Sequence, residues 1–283
     1  MRIAPFKGGL RYQDNFTSAG SSAPGTTVPA HATVNSSKGT VTELLASLDF
    51  DCYELFIYCT GYGAAAATSK GFLSIYVGAA TEQVLIPDLL IGGAGGAGLG
   101  GKRWRFPIYI PAGTRVSAAL GGERTGVNAN VAIMAVGGTM SPHVVCGSKV
   151  VTYGLGTQPD ATNITPGASG AEGSFTEITA STTENHIAVM PSWQPPTDTT
   201  LNARIYSVDI GIGSATEAII GRLEGPYIYQ TNASEQCSTD GYDGVVYADI
   251  PSGSRLAARV SNNGTNDGSG ADRGQVALHC LSL

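Results

Sequence analysis

The chain has 283 residues, a formal charge of −6, only 13% charged residues and 39 glycines. The acidic balance argues against nucleic acid as a partner, and 42% hydrophobic residues exclude a disordered chain. Glycine is near twice its usual share of about 7%, and Ser, Thr, Asn, Gly and Ala stand where charge is missing. A surface of that kind suits packing against copies or partners, and equally a plain Ser/Thr-rich solvated surface.

In chain order, the opening "MRIAPFKGGLRYQDNF" has no apolar signal region, and no later run reaches a membrane-spanning length. A soluble chain made in a cytosol is the expectation, with no membrane partner. "TELLASLDF" is the best helix candidate, good for one or two turns. "CYELFIYC" then reads as a strand, and the odd spacing of Cys52 and Cys59 predicts opposite faces. With five cysteines and no C-x-x-C, all are read as reduced, mostly core-filling thiols. "LSIYVG" alternates Leu73, Ile75 and Val77 with polar neighbours, as a half-buried strand does.

Residues 92–103, "GGAGGAGLGGKR", hold two nucleotide-binding patterns at once. Gly93, Gly95 and Gly98 satisfy G-x-G-x-x-G; Gly96, Gly101 and Lys102 satisfy G-x-x-x-x-G-K. A phosphate site needs a helix after the glycines, whose N-terminal amides meet the anion. Here "KRWRFPIYIPAG" follows, with Pro107, Pro111 and β-branched residues, which predicts a strand. Arg103 also stands where a metal-binding Ser or Thr is required. The stretch is read instead as an interaction loop, with Gly92, Gly95, Gly98, Lys102 and Arg103 as its candidate contacts, and no cofactor is expected.

Beyond it the chain repeats itself. "TVTELLAS" from residue 40 matches "SFTEITAS" at an offset of 134, and "GAATEQVLI" from 78 matches "GSATEAII" at 135. "IPAGTRVSA" from 110 matches "IPSGSRLAA" at 140, and "NVAIMAV" from 130 matches "QVALHCL" at 145. Four anchors in one order, with offsets that only grow, describe a duplication whose second copy has longer loops. The predicted fold is all-β: two tandem, duplicated antiparallel β-sandwich domains, jelly-roll-like. The predicted organisation is an N-terminal arm over 1–22, a first sandwich over 23–140, a linker over 141–160 and a second sandwich over 161–283.

Glu82 and Glu217 occupy equivalent positions in the copies, as do Arg115 and Arg255. Retention of both charges predicts an intradomain ion pair in each copy, Glu82 with Arg115 and Glu217 with Arg255; two independent surface charges are the plainer alternative. His31, His143, His186 and His279 are scattered singly, without zinc spacing, and are read as structural. The oxygen-rich loops at 238–244 and 266–272 lack EF-hand spacing and are read as turn formers. Aromatics cluster at Tyr53, Phe56, Tyr58, Trp104, Phe106 and Tyr109, and at Tyr227, Tyr229, Tyr242 and Tyr247. Most are expected in packing; an exposed remainder suits stacking on sugar rings.

"FPIYIPAGTRVSAAL" with "NVAIMAVGG", and "ADIPSGSRLAARV" with "QVALHCLSL", resemble strings in structural proteins of tailed-bacteriophage virions. The resemblance covers the hallmark strands of both copies and implies a virion component, synthesised in the host bacterial cytoplasm. Its implied function is a non-enzymatic capsid decoration, neck or tail protein. The implied partners are other virion proteins and further copies of the chain, a trimer favoured. It transfers no catalytic residue. The alternative is a carbohydrate-binding adhesin recognising host surface glycans.

Overall fold

The computed structural model describes residues 9–16, 25–34, 36–60, 62, 70–78, 81–92, 102–138, 145–194, 206–213, 217–225, 244–262 and 274–283. The first copy supplies β1 (Leu10–Asp14), β2 (Thr26–Pro29), β3 (Thr42–Leu45), β4 (Cys52–Thr60), β5 (Gly71–Val77), β6 (Gln83–Leu90), β7 (Lys102–Phe106), β8 (Val116–Gly122) and β9 (Asn128–Gly138). The second supplies β10 (Lys149–Tyr153), β11 (Thr162–Ile164), β12 (Thr176–Thr179), β13 (His186–Gln194), β14 (Tyr206–Ile212), β15 (Ala218–Gly225), β16 (Val246–Ile250), β17 (Leu256–Asn262) and β18 (Gly274–Ser282). Among the described residues there is no α-helix. The helix candidate at Thr42–Leu45 is strand β3, paired with β8.

The first sandwich sets β1-β9-β4-β7, with β2 also on β9, against β3-β8-β5-β6. The second sets β10-β18-β13-β16, with β11 also on β18, against β12-β17-β14-β15. Adding nine to every label of the first topology gives the second, so the duplication holds strand by strand. It holds in fine detail too. The register slips at Glu43/Leu45 in the β3–β8 pair and at Glu177/Thr179 in β12–β17. β1 falls within residues 1–22 and β10 within 141–160, so sheet edges run into the segments read as arm and linker.

Each Ile-Pro-x-Gly turn is built alike. Gly113 (φ +80°) donates to Leu48 O at 2.7 Å, and Gly253 (φ +84°) to Thr182 O at 2.8 Å. A Cβ at Gly253 meets nothing within 4 Å, so the positive φ alone demands glycine. Gly253→Ala is therefore expected to cost roughly 1–2 kcal/mol in urea unfolding.

The cores lie between the paired sheets. Leu55, Ile57, Leu73, Ile75, Phe106, Leu120 and Ile133 fill the first; Val189, Val208, Ile210, Leu256, Val260, Val276 and Leu278 fill the second. Cys52 and Cys59 both face the first core, contrary to the alternation argument, because a register shift between Cys52 and Glu54 resets the period. They end seven residues apart on one strand, and neither is disulfide-bonded.

β13 and β18 break the alternating pattern in another way. All nine residues of β18 are buried. Val276, Leu278 and Cys280 face their own core, whereas Leu281, with Val150, Ala188 and Met190, joins the core of the first sandwich. Ala277 meets Leu90 of β6. The outer face of this sheet is thus the docking surface for the first domain, and its strands are buried on both sides.

Candidate functional site

The charged residues singled out by the repeat are brought together. Arg115 Nη2 lies 3.2 Å from Glu82 Oε1, and Arg255 Nη1 lies 2.5 Å from Glu217 Oε1. A second carboxylate completes each set: Glu43 is 3.0 Å from Arg115 Nε and Glu177 is 2.8 Å from Arg255 Nε. Glu43 and Glu177 stand inside the repeated "TEL/TEI" anchor, next to the shared bulge, and that repetition was the available signal. Hydrogen bonding from Arg255 holds the Glu217 carboxyl below its ordinary range. These triads tie β3 to the β5–β6 hairpin in one domain and β12 to β14–β15 in the other, a scaffold role.

A second duplicated network has its charges exchanged. In the first domain Lys38 Nζ meets Asp88 Oδ1 at 2.8 Å, and Asp88 accepts from Ser74 Oγ at 2.9 Å. In the second, Glu172 pairs with Arg222, which meets Asp209 Oδ1 at 2.6 Å; Arg259 Nε adds a contact to Asp209 Oδ2 at 2.8 Å. Gly39 and Gly173, which follow Lys38 and Glu172, donate to the equivalent Leu120 and Val260 carbonyls. The position is kept and the sign reversed, which no comparison of like residues detects.

Of the candidate interaction loop, Gly95 and Gly98 lie outside the described residues. Gly92 is buried, and strand β7 sends Lys102 and Arg103 to opposite faces. Lys102 points inward, where its Nζ donates to the carbonyls of Leu90 (3.2 Å), Gly92 (2.8 Å) and Trp193 (2.5 Å). Its place in an interaction loop is therefore corrected: a buried ammonium held by carbonyls, one from the second domain, is neither an exposed contact nor a phosphate cradle. Arg103 faces outward and is exposed.

Near this lysine the domain junction contains a serine–histidine contact. His279 Nε2 lies 2.7 Å from Ser192 Oγ, and Nδ1 lies 2.8 Å from Thr152 Oγ1. Thr152 spends its proton on Pro87 O at 2.8 Å, so it accepts from Nδ1–H, and Nε2 accepts the Ser192 hydroxyl proton. Ser192 in turn accepts from Leu90 N at 3.2 Å. Burial depresses the His279 pKa to about 3, so the ring is neutral. The pairing is that of a nucleophile and its base, with both side chains buried between the domains. Its work is docking. Gln194 continues the seam, accepting from Gly71 N at 3.2 Å and donating to Pro159 O at 2.7 Å.

The first domain carries the same face of the equivalent sheet, and among the described residues it is open. The shared registers place Phe56 opposite Met134 and Tyr58 opposite Ala132, as Met190 stands opposite His279 and Ser192 opposite Ala277. In place of a covering domain lies a cleft of about 490 Å³, lined by Phe16, Phe56, Tyr58, Arg103, Trp104 and Met134 among others. Phe16, just after β1, is 48% exposed. The β4–β7 register sets Arg105 beside Phe56 and Arg103 beside Tyr58, with guanidinium-to-ring distances of 5.9 and 6.0 Å. Arg105 is also ion-paired with Glu54. The result is a row of rings whose edges are bordered by forked donors and a carboxylate. Tyr227, Tyr229 and Tyr242, the other clustered aromatics, and both oxygen-rich loops apart from Gly244, lie outside the described residues, as do His143 and Cys237. Among the described residues no three His, Cys, Asp or Glu groups are placed to hold a metal ion.

No protein-family model matches the chain, and no curated protein matches it in sequence. Solved structures do. PNGF-II is similar over 96% of this chain and 66% of its own, just under two thirds, at 9% identity and a TM-score of 0.40. PNGase F, a glycosylasparaginase from Flavobacterium meningosepticum, is similar over 97% of this chain and 96% of its own, at 12% identity and a TM-score of 0.36. At such values the likeness carries no residue roles, and the architecture rests on the chain's own sheets. The expectation of a non-enzymatic virion structural protein is corrected: one solved structure to which this chain is similar is of a glycosylasparaginase, so neither a virion function nor the exclusion of catalysis is retained.

Proposed function

We propose that the chain binds glycans in the cleft over β4, β7 and β9 of the first sandwich. The observation that carries this reading is the open face itself. Its counterpart in the second domain is covered by protein, whereas here Phe56, Tyr58 and Phe16 are presented beside Arg103 and Arg105. Sugar rings have apolar C–H faces and hydroxyl rims. Flat aromatic side chains match the faces, and guanidinium and carboxylate groups match the rims. An apolar peptide would leave the Arg105–Glu54 pair without polar partners.

A glycan array covering chito-, manno- and hexuronate oligosaccharides, followed by calorimetry on the best series, tests this. Tyr58→Ala is expected to weaken binding about tenfold, which is about 1.4 kcal/mol. Its melting temperature should hold, since the ring sits on the outer face of the sheet and not in the core. Absence of binding to every series sinks the reading. Mass spectrometry of a glycopeptide incubated with the protein reports in the same samples whether sugar is released.

A further inference from the structure

The geometry points to a binding surface that continues from this cleft across the domain junction onto Tyr247, so that the ligand is an extended oligosaccharide held by both domains. This rests on the glycan reading and adds to it the length of the ligand. The track can be followed residue by residue. Arg105 lies 5.9 Å from the ring of Phe56, which lines the cleft, and pairs with Glu54. Within electrostatic reach of Arg105 and Glu54 is Tyr247 of β16, 50% exposed. β16 is an edge strand, and Tyr247 is opposite Ala188, whose side chain packs into the first domain's core. Tyr247 therefore sits at the rim of the junction with its ring toward the first domain. Its phenol is pushed up by desolvation and is sensed electrostatically by Arg105, Glu54 and Cys146.

Cys146 leads on to a second aromatic pair. Its thiol donates to Tyr53 O at 3.2 Å, and the Tyr53 and Tyr109 rings meet at 5.8 Å, tilted by 36°. Tyr109 is 40% exposed. Rings and polar groups thus alternate from Tyr58 and Phe56, through Arg105 and Glu54, to Tyr247 and then Tyr109. A chain of sugars repeats in the same way, face and rim, whereas a disaccharide is short enough to lie in the cleft alone. Large exposed aromatics on either side of a junction lose water without ordering long flexible side chains, which favours binding there.

The experiment uses the full chain and the disaccharide and hexasaccharide of whichever array series binds. The hexasaccharide is expected to bind at least tenfold tighter than the disaccharide. Tyr247→Ala should remove most of that advantage and leave the disaccharide unchanged, Tyr247→Phe should restore it, and Tyr58→Ala should weaken both ligands. Equal affinity for the two lengths, or a Tyr247→Ala protein that keeps the full advantage, overturns the extended surface while leaving the cleft intact. Failure of both lengths to bind overturns the glycan reading beneath it. An unchanged melting temperature for each variant separates these outcomes from misfolding.

Discussion

Replacing Lys102 with methionine is expected to lower the unfolding free energy by about 3 kcal/mol, within the range for removing one partner of a buried charged contact. Methionine keeps most of the apolar stem but leaves the carbonyls of Leu90, Gly92 and Trp193 without their donor. Desolvation pulls the lysine pKa down to about 7. The carbonyls oppose that, because only the ammonium form has a proton for each. Trp193 belongs to the second domain, so the loss should also loosen the domain pair and broaden the urea transition. A loss of less than about 0.5 kcal/mol, as for an ordinary surface substitution, would contradict the inward cradle.

Acid should loosen the same junction. His279 is neutral in the folded chain, with a pKa near 3 against 6.5 for the exposed ring. Between those values the unfolded state binds the proton and the folded state does not, so stability is full above about pH 6.5 and falls as pH is lowered. The loss from His279 alone is about 2 kcal/mol between pH 7 and pH 5. His186, whose pKa is also lowered by burial, adds to it with the same sign. The depressed carboxyls of Asp160, Glu184 and Glu217 contribute in a more acidic window, below their ordinary values of 3.8 to 4.5. Chemical denaturation at pH 7 and pH 5 therefore reads mainly the histidines, with a smaller contribution of the same sign from Lys102, whose folded pKa is about 7. His279→Gln, which keeps a neutral polar side chain at the position, should flatten that interval while costing some stability at pH 7. A slope unchanged by the substitution would show that His279 charges without resistance.

Much of this molecule was legible before folding. The four repeated anchors specify two like sandwiches, and the Ile-Pro-x-Gly turns announce their own geometry through glycines that must reach positive φ. The retained Glu and Arg pairs identify the Glu82–Arg115 and Glu217–Arg255 contacts, because a charge kept on both partners in both copies constrains both. The site is a different matter. Arg103 and the Phe56–Tyr58–Trp104 cluster stand out in the sequence, but nothing local says that Phe56 and Tyr58 border a cleft while Met190 and Ser192 are buried. Lys102 and Arg103 look alike as neighbours, and only the face of β7 to which each is assigned separates a buried anchor from a surface group. Cys52 and Cys59 mislead for a related reason: one bulge shifts the period, and the parity of their spacing ceases to report the face.

By itself the sequence determined what depends on neighbours along the chain: the alternation that makes strands, the turns that reverse them, and the duplication that orders them twice. Only the tertiary structure decided which of two equivalent sheet faces is covered. The second domain's outer face is closed because the first domain docks on it, with Ser192 and Lys102 satisfied there by backbone groups from across the junction and His279 held by Ser192 and Thr152. Among the described residues nothing comparable is brought against the first domain's face, and it is open there. Solvent exposure of a strand's outer face is a property of what is brought against it, and residues far apart in sequence settle that only once the cores have formed.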